Sequence, residues 1–226
     1  MKLLIIIPAY NEGKSIQRVV EHLLEVCGQY DFIVINDGSE DDTAEICQRQ
    51  GYPLIDLPVN LGLAGAFQAG MQYAWRKGYD CALQFDGDGQ HRPEYISGML
   101  KELERGADIV IGSRFLENRR GYSPRMLGSR IISGAIWLTT GKRILDPTSG
   151  MRLFGRELME PFARGMNYGP EPDTISYLVK RGSKVQEFPV KMDERKEGTS
   201  YLSVMKSLDY MVRMTISILL IQNFRK

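Results

Sequence analysis

Apolar and polar positions along the chain fall into two alternating rhythms. Short, nearly unbroken apolar runs at Lys2 to Ile7, Phe32 to Ile35, Cys81 to Phe85 and Asp108 to Ile111 have the pattern of strands buried on both faces of a parallel sheet. Further strands are expected near Tyr52 to Leu57 and at Lys184 to Val190, and Asp146 to Phe154 reads as a loop entering a strand. Between these runs the period lengthens to that of amphipathic helices. They are expected from about Lys14 to Val26, from a Ser39 or Asp41 cap to about Gln50, and from Asn60–Ala66 to Lys77. Others follow at Pro93 to Glu104, after Gly155, and at Pro172 to Arg181. Such alternation with short loops predicts an α/β fold, a doubly wound, mostly parallel sheet flanked by helices. The loops after Ile7, Ile35 and Phe85 are polar and would converge on one edge of that sheet.

Two segments depart from this rhythm. From Asn118 to Leu145, Arg119, Arg120, Arg125, Arg130, Lys142 and Arg143 bracket an apolar stretch that holds Trp137, with no acid among them. The pattern fits a helix lying at the interface of an anionic membrane, and equally a buried helix with a solvated basic rim. The stretch from Ser203 to Phe224 is helical by pattern, with Lys206, Asp209 and Arg213 on one face and Val204, Leu208, Met211, Val212, Ile218 and Leu219 set apart from them. Its unbroken apolar run, Met214 to Ile221, falls well short of the ~20 residues that span a bilayer. An interfacial or protein-docked helix is expected there.

Composition narrows the class. The 226 residues are 43% hydrophobic and 25% charged, enough for one large soluble domain. A net charge of +1 argues against general attraction to nucleic acid, so electrostatic targeting must be local. Cys27, Cys47 and Cys81 show no metal-ligand spacing and read as small core or surface residues of a reducing compartment. The apolar run ending at Pro8 is too short for a secretion signal, so a cytoplasmic location is expected.

The chemistry concentrates at Phe85-Asp86-Gly87-Asp88-Gly89-Gln90-His91. Two carboxylates at i and i+2, at the end of an apolar strand, would face the crevice beyond the sheet. Their mutual repulsion is relieved by a divalent cation, and hard oxygen ligands favour Mg²⁺ or Mn²⁺ over zinc. A solvated Asp-Gly turn is the plainer alternative. An EF-hand is excluded, because His91 and Ser97 stand where Gly and Glu are required. The chain has no P-loop, since Gly13-Lys14-Ser15 has Pro8 where the motif needs its first glycine, and Gly62-x-x-Gly65 has neither the glycines nor the acid of a dinucleotide fingerprint.

Taken in order, Pro8-Ala9-Tyr10-Asn11-Glu12, Asn36-Asp37-Gly38-Ser39, Asn60-x-Gly62-x-x-Gly65-Ala66 and Asp86-x-Asp88-x-Gln90 resemble family-2 glycosyltransferases with the GT-A fold. Ile111-Gly112-Ser113-Arg114-Phe115, Asp146-x-Thr148-Ser149-Gly150-x-Arg152 and Arg195-x-x-Gly198-x-Ser200 extend the resemblance to dolichol- and polyprenol-phosphate mannose synthases, over about residues 1–200. The resemblance implies a domain at 1–200, with a nucleotide-sugar half at 1–115 and an acceptor half at 116–200 containing an interfacial segment at 124–143. An amphipathic helix at 201–226 would follow. It implies that Pro8, Ala9, Tyr10, Glu12, Asp37 and the Asp86-Gly87-Asp88 turn hold the donor, a GDP- or UDP-hexose. Asp86, Asp88 and Gln90 would hold Mg²⁺ or Mn²⁺. Arg114, Arg130 and Arg195, with Ser149, Arg152 and Ser200, would meet phosphates, and Asp88, Arg114 and Arg195 would carry the catalysis. His91, within Gln90-His91-Arg92-Pro93, would orient a metal ligand or fill a loop.

The chain departs from the family pattern at Asn36, where an aspartate is usual, and at Tyr201, where lysine is frequent. The transmembrane helices of some members have no counterpart, so a small integral membrane protein is an expected partner, besides the membrane surface itself. The resemblance implies transfer of a hexose to a polyprenyl phosphate, with inversion, on the cytoplasmic face of a membrane. A phosphate monoester, with its second pKa at about 6, is largely dianionic at neutral pH and needs no general base. A sugar-hydroxyl acceptor is the nearest alternative and would need a carboxylate base, for which Glu171, Asp173 and Asp146 are candidates. A non-catalytic nucleotide-sugar-binding subunit is the alternative of another class, disfavoured by the intact pair of aspartates.

Overall fold

The computed structural model describes residues 1–117, 124–164, 169–193 and 204–221. Seven strands among them form one sheet: β1 (Leu3–Ala9), β2 (Asp31–Asn36), β3 (Leu54–Asp56), β4 (Cys81–Gln84), β5 (Ile109–Ser113), β6 (Arg152–Gly155) and β7 (Val185–Pro189), in the order β3-β2-β1-β4-β6-β5-β7. All neighbours are parallel except β6, which runs antiparallel to both β4 and β5. The mostly parallel α/β sheet expected from the apolar runs is therefore present, with one reversed strand.

The reversal has a simple cause. The chain reaches β6 through residues 141–151, and Arg152 pairs with Gln84 and Ile111 at the carboxyl ends of their strands. A strand entered from that edge has to run away from it. The detour leaves the loop Asp146–Gly150 on the same edge as the loops after β1, β2 and β4.

The first strand extends two residues beyond the expected Ile7, through Pro8 to Ala9. In the parallel ladder Ala9 faces β2, accepting the Asp37 N–H at 2.8 Å, whereas Ile6 faces β4, accepting that of Phe85 at 2.9 Å. By alternation the N–H that Pro8 lacks would point toward β4, which has already ended opposite Ile6. Proline costs no hydrogen bond there.

Helices α1 (Ile16–Cys27), α2 (Thr43–Gln50) and α4 (Ile96–Glu104, preceded by a 3-10 turn at Pro93–Tyr95) cover one face. Helices α3 (Gly62–Arg76), α5 (Pro124–Thr140), α6 (Arg156–Ala163), α7 (Pro172–Lys180) and α8 (Val204–Leu219) cover the other. The all-apolar β1 serves both layers by its two-residue period. Leu3, Ile5 and Ile7 pack on the α1 side, while Leu4 and Ile6 pack on the α3 side. The three cysteines are buried and unpaired by disulfides, and burial pushes the Cys81 thiol up to about 12.

The two irregular segments turn out to share one character. Helix α5 sends Ile132, Ala135 and Ile136 into the core, while Leu127, Ile131, Trp137 and Leu138 stay exposed. Helix α8 is docked against α5 and α7, with Ile218 fully buried and Met211, Met214 and Leu219 packed on the core. Gly128 permits that approach, because a Cβ there would overlap the side chain of Met211. The expected segregation on α8 is corrected in one respect. Val212 is 50% exposed and lies on the outer side with Asp209 and Arg213, which pair at 2.8 Å, so the outward stripe is Val212, Ile216 and Leu220. No helix among the described residues is long and apolar enough to cross a membrane.

Candidate active site

The loops after β1 and β2 are knitted into one surface. Asn11 occupies a left-handed conformation, φ 56°, which asparagine tolerates better than most residues. From there its N–H donates to Ser39 Oγ at 2.9 Å and its Oδ1 accepts the Glu40 N–H at 2.8 Å. Glu12 N–H donates to Thr43 Oγ1, and Gly13 N–H to Asp41 Oδ2. Asp37 is buried behind this surface, with Oδ1 accepting the Leu61 N–H at 2.7 Å. Burial raises its pKa, against the lowering effect of the Leu61 and Gly62 N–H groups. Asn36 donates from Nδ2 to Asp56 Oδ1 at 2.7 Å. An aspartate there would set two carboxylates against each other, so the departure from the usual acid suits its neighbour.

The turn after β4 stands beside that surface. Asp86 is held from three directions. Its Oδ1 accepts from Gln84 Nε2 at 3.1 Å, its N–H donates to His91 Nδ1 at 2.9 Å, and its Oδ2 lies 3.5 Å from His91 Nε2. With Nδ1 accepting, the proton of a neutral ring sits on Nε2, facing the carboxylate. His91 is buried and stacked edge-on to Phe85, so it fills the loop while contacting Asp86. Asp88 Oδ1 accepts the Gln90 N–H at 3.0 Å, which closes the turn. The Gln90 side chain donates to the Asp193 carbonyl at 3.4 Å.

Gly150 backs this turn from the loop before β6. A Cβ at that position would come within 2.5 Å of Asp86 Oδ2, so only glycine leaves room for the carboxylate. The donor set of two aspartates is of hard oxygens in a cradle kept open by glycine, which fits Mg²⁺ or Mn²⁺. Among the described residues no group of three or more His, Cys, Asp or Glu could hold an ion by itself.

Ser15 completes the junction and was not evident from sequence. Its hydroxyl lies 2.9 Å from the Gly87 carbonyl and 2.6 Å from Glu12 Oε2, joining the first loop to the aspartate turn. In the sequence it reads as an ordinary serine at a helix start.

On the far side, Arg114 at the end of β5 makes a two-pronged contact with Asp146: Nε to Oδ2 at 2.7 Å and Nη2 to Oδ1 at 2.8 Å. Burial alone would lower the Arg114 pKa, but the hydrogen bonds and charge of Asp146 outweigh it and raise the pKa. Asp146 is fully buried, and its own loop is clamped by Glu187, which accepts the N–H groups of Leu145 and Asp146 at 2.8 Å each.

Other expected phosphate contacts lie elsewhere. Arg152 is fully buried and gives its N–H groups to the carbonyls of Pro147, at 2.7 Å, and of Pro170. Ser149 is buried and accepts the Met151 N–H. Both are buried and bonded to the backbone of the site loops, which they hold in place. Arg130 is half-buried on α5, and Tyr10 is half-buried at the mouth. Arg195, Ser200 and Tyr201 lie outside the described residues.

The three acids weighed as general bases are all engaged. Asp146 is paired with Arg114, Asp173 Oδ2 accepts from Ser217 Oγ at 2.7 Å, and Glu171 Oε2 accepts from the Tyr210 hydroxyl.

The family model described as glycosyl transferase family 2 matches residues 4–162. The polyprenol monophosphomannose synthase of Mycolicibacterium smegmatis is 29% identical over 215 residues, covering 89% of this chain and 81% of the relative. The dolichol-phosphate mannosyltransferase of Pyrococcus furiosus is 30% identical over 226 residues, covering 93% of this chain and 62% of the relative. Among solved structures, glucosyl-3-phosphoglycerate synthase from Mycobacterium tuberculosis, in complex with Mn²⁺, UDP-glucose and phosphoglyceric acid, superposes with a TM-score of 0.70 at 20% identity. The match covers 100% of this chain and 80% of that one. This likeness establishes the GT-A fold.

Proposed function

The chain belongs to glycosyl transferase family 2 and is a glycosyltransferase, and on that premise we propose that it transfers a hexose from a nucleotide-sugar to a polyprenyl phosphate, inverting the anomeric centre. The observation that carries this reading is the engagement of Asp146, Glu171 and Asp173, each already hydrogen-bonded within the protein. They are the acids expected as bases for a sugar hydroxyl, and their engagement disfavours that acceptor, whereas a phosphate oxygen arrives deprotonated. Relatives that match most of this chain are named as polyprenol- and dolichol-phosphate sugar transferases, which supports the same acceptor.

In this reading Pro8, Ala9, Tyr10, Glu12 and Asp37 bind the nucleoside, and Asp86 and Asp88, with Gln90, hold Mg²⁺ or Mn²⁺ against the diphosphate. A bound cation would neutralise charge on the leaving diphosphate. The protein's own part is positional. His91, Gln84 and Gly150 fix the direction of Asp86, and Ser15 fixes the spacing between the aspartate turn and Glu12. Arg114, whose Nε and Nη2 are taken up by Asp146, would meet phosphate oxygens through Nη1 and its charge, and Arg130 and Arg195 would add to it. Holding two anions in line at short range is worth several powers of ten in rate.

The chain would meet its lipid substrate as a peripheral protein on the cytoplasmic face. The exposed apolar side chains of α5 and of α8 would rest at the headgroup level, alone or against a small integral membrane protein. Incubating purified protein with labelled GDP- and UDP-hexoses tests the acceptor. Label should enter polyprenyl phosphate and not the free polyprenol. Equal labelling of the alcohol would overturn the phosphate reading.

A further inference from the structure

We propose that Tyr210 is a positioning residue for the acceptor half of the site. By bonding Glu171 it holds the start of α7 and the loop Asp146–Gly150 in place, making α8 part of the active structure. The inference rests on the reading of which half receives the acceptor.

Glu171 precedes α7 but makes no side-chain cap to that helix, and its Oε2 instead accepts the hydroxyl of Tyr210 on α8. Seven residues along the same face of α8, Ser217 bonds Asp173 at 2.7 Å. Two rungs therefore fasten α8 to the first turn of α7, and Ser217 and Asp173 are both buried.

What lies behind those rungs is a buried cation. Arg152 is fully enclosed, and Glu171 is the largest favourable charge acting on it. An isolated guanidinium so deep in the protein is strongly disfavoured, so the carboxylate has to stay near it. Arg152 in turn bonds the carbonyl of Pro170, next to Glu171, and that of Pro147, next to Asp146. Asp146 aims Arg114, and Gly150 of the same loop abuts Asp86. Arg152 also stands opposite Gln84 in the β4–β6 ladder, and Gln84 holds Asp86 Oδ1. These links lead from α8, through Glu171 and Arg152, to the loop that carries Asp146 and so to Arg114. Glu171, committed to Tyr210 and to the field of Arg152, is placed as a counter-ion and not as a base.

The test compares full-length Tyr210→Phe, Glu171→Gln and the double variant, using labelled nucleotide-hexose and polyprenyl phosphate. Loss of one hydrogen bond to a carboxylate should lower kcat/KM for the acceptor about tenfold in Tyr210→Phe. Donor KM should stay within about twofold of wild type, a split that a general loss of stability would not give. The double variant should be no worse than the poorer single, since both act through one contact. A loss of about a thousandfold in Glu171→Gln, with Tyr210→Phe within about twofold, marks Glu171 as a base and overturns the proposal. Amide exchange gives an arm independent of the acceptor. The amides of Glu171 and of residues 173–176 should exchange about tenfold faster in Tyr210→Phe, with those of β1 unchanged. If wild type makes no lipid-linked sugar, the acceptor reading fails by itself, and unchanged exchange at those amides then overturns the role of Tyr210.

Discussion

At the scale of single residues, the site depends on how tightly Asp86 is held. Replacing Gly150 with Ala would place a Cβ within 2.5 Å of Asp86 Oδ2 and 3.3 Å of His91 Cε1. The carboxylate, with Gln84 on one side and His91 on the other, has to rotate or shift. A misplacement of about 1 Å near reacting groups can cost about a hundredfold in rate, so Gly150→Ala should lose activity on that order. Its far-ultraviolet circular dichroism should match wild type, and recovery of activity by raising Mn²⁺ would locate the damage at the cation. The complementary change, Asp88→Asn, keeps an oxygen for the Gln90 N–H and so keeps the turn, but removes a charge that would face the cation. Turnover should fall by about two to three orders of magnitude and activity should vanish in excess EDTA. Full turnover in the folded variant, or in EDTA, would refute the metal assignment.

At the scale of elements, the apolar runs were legible because a strand buried on both faces has few alternatives. The strands and the first four helices accordingly lie close to where the pattern puts them, with ends shifted by a few residues. Strand β6 was legible as an element but not in direction, since orientation is set by which edge the chain enters from, here through residues 141–151. The same limit applies to the site. The aspartates, Asp37 and Arg114 announce themselves by motif, whereas Ser15, Glu187 and Tyr210 act through partners 39 to 72 positions away and carry no local signal. Arg152 and Ser149 show the converse: a motif marks a residue as constrained without saying whether it faces the ligand or supports it. The tail is the clearest case. Pattern alone makes 203–226 an amphipathic appendage, but Ile218 is fully buried and Met211 packs on Gly128. Removing residues 204–226 should therefore cost several kcal/mol, since burial of Ile218 alone is worth about 2 kcal/mol. The melting temperature of the truncated protein, measured without any membrane, checks this. An unchanged value would mean that α8 is not docked.

At the scale of the whole molecule, that result changes how attachment to a membrane has to be tested. Truncation would weaken the fold and the surface together, and a lost interaction with vesicles could then be credited to either. The outward residues offer a cleaner probe. Leu127, Ile131 and Leu138 follow one another along α5 at spacings of four and seven, and Val212, Ile216 and Leu220 along α8 at spacings of four, so each set forms a stripe. All six are at least 46% exposed, with Leu138 at 73%. Exchanging Ile131, Leu138, Ile216 and Leu220 for Ser should leave the melting temperature nearly unchanged, because surface substitutions usually fall within about 0.5 kcal/mol. If these stripes enter the headgroup region, each side chain gives up about 1.5 kcal/mol of transfer free energy at full insertion. The quadruple variant should then bind anionic liposomes at least about a hundredfold more weakly. Transfer to a detergent-dispersed polyprenyl phosphate should be retained, because none of the four residues bonds to the site loops. Sedimentation of wild type and variant with vesicles containing anionic lipid decides the matter. Equal binding by both proteins would place attachment elsewhere on the chain, and absence of binding by wild type would leave an integral membrane partner as the route to the lipid.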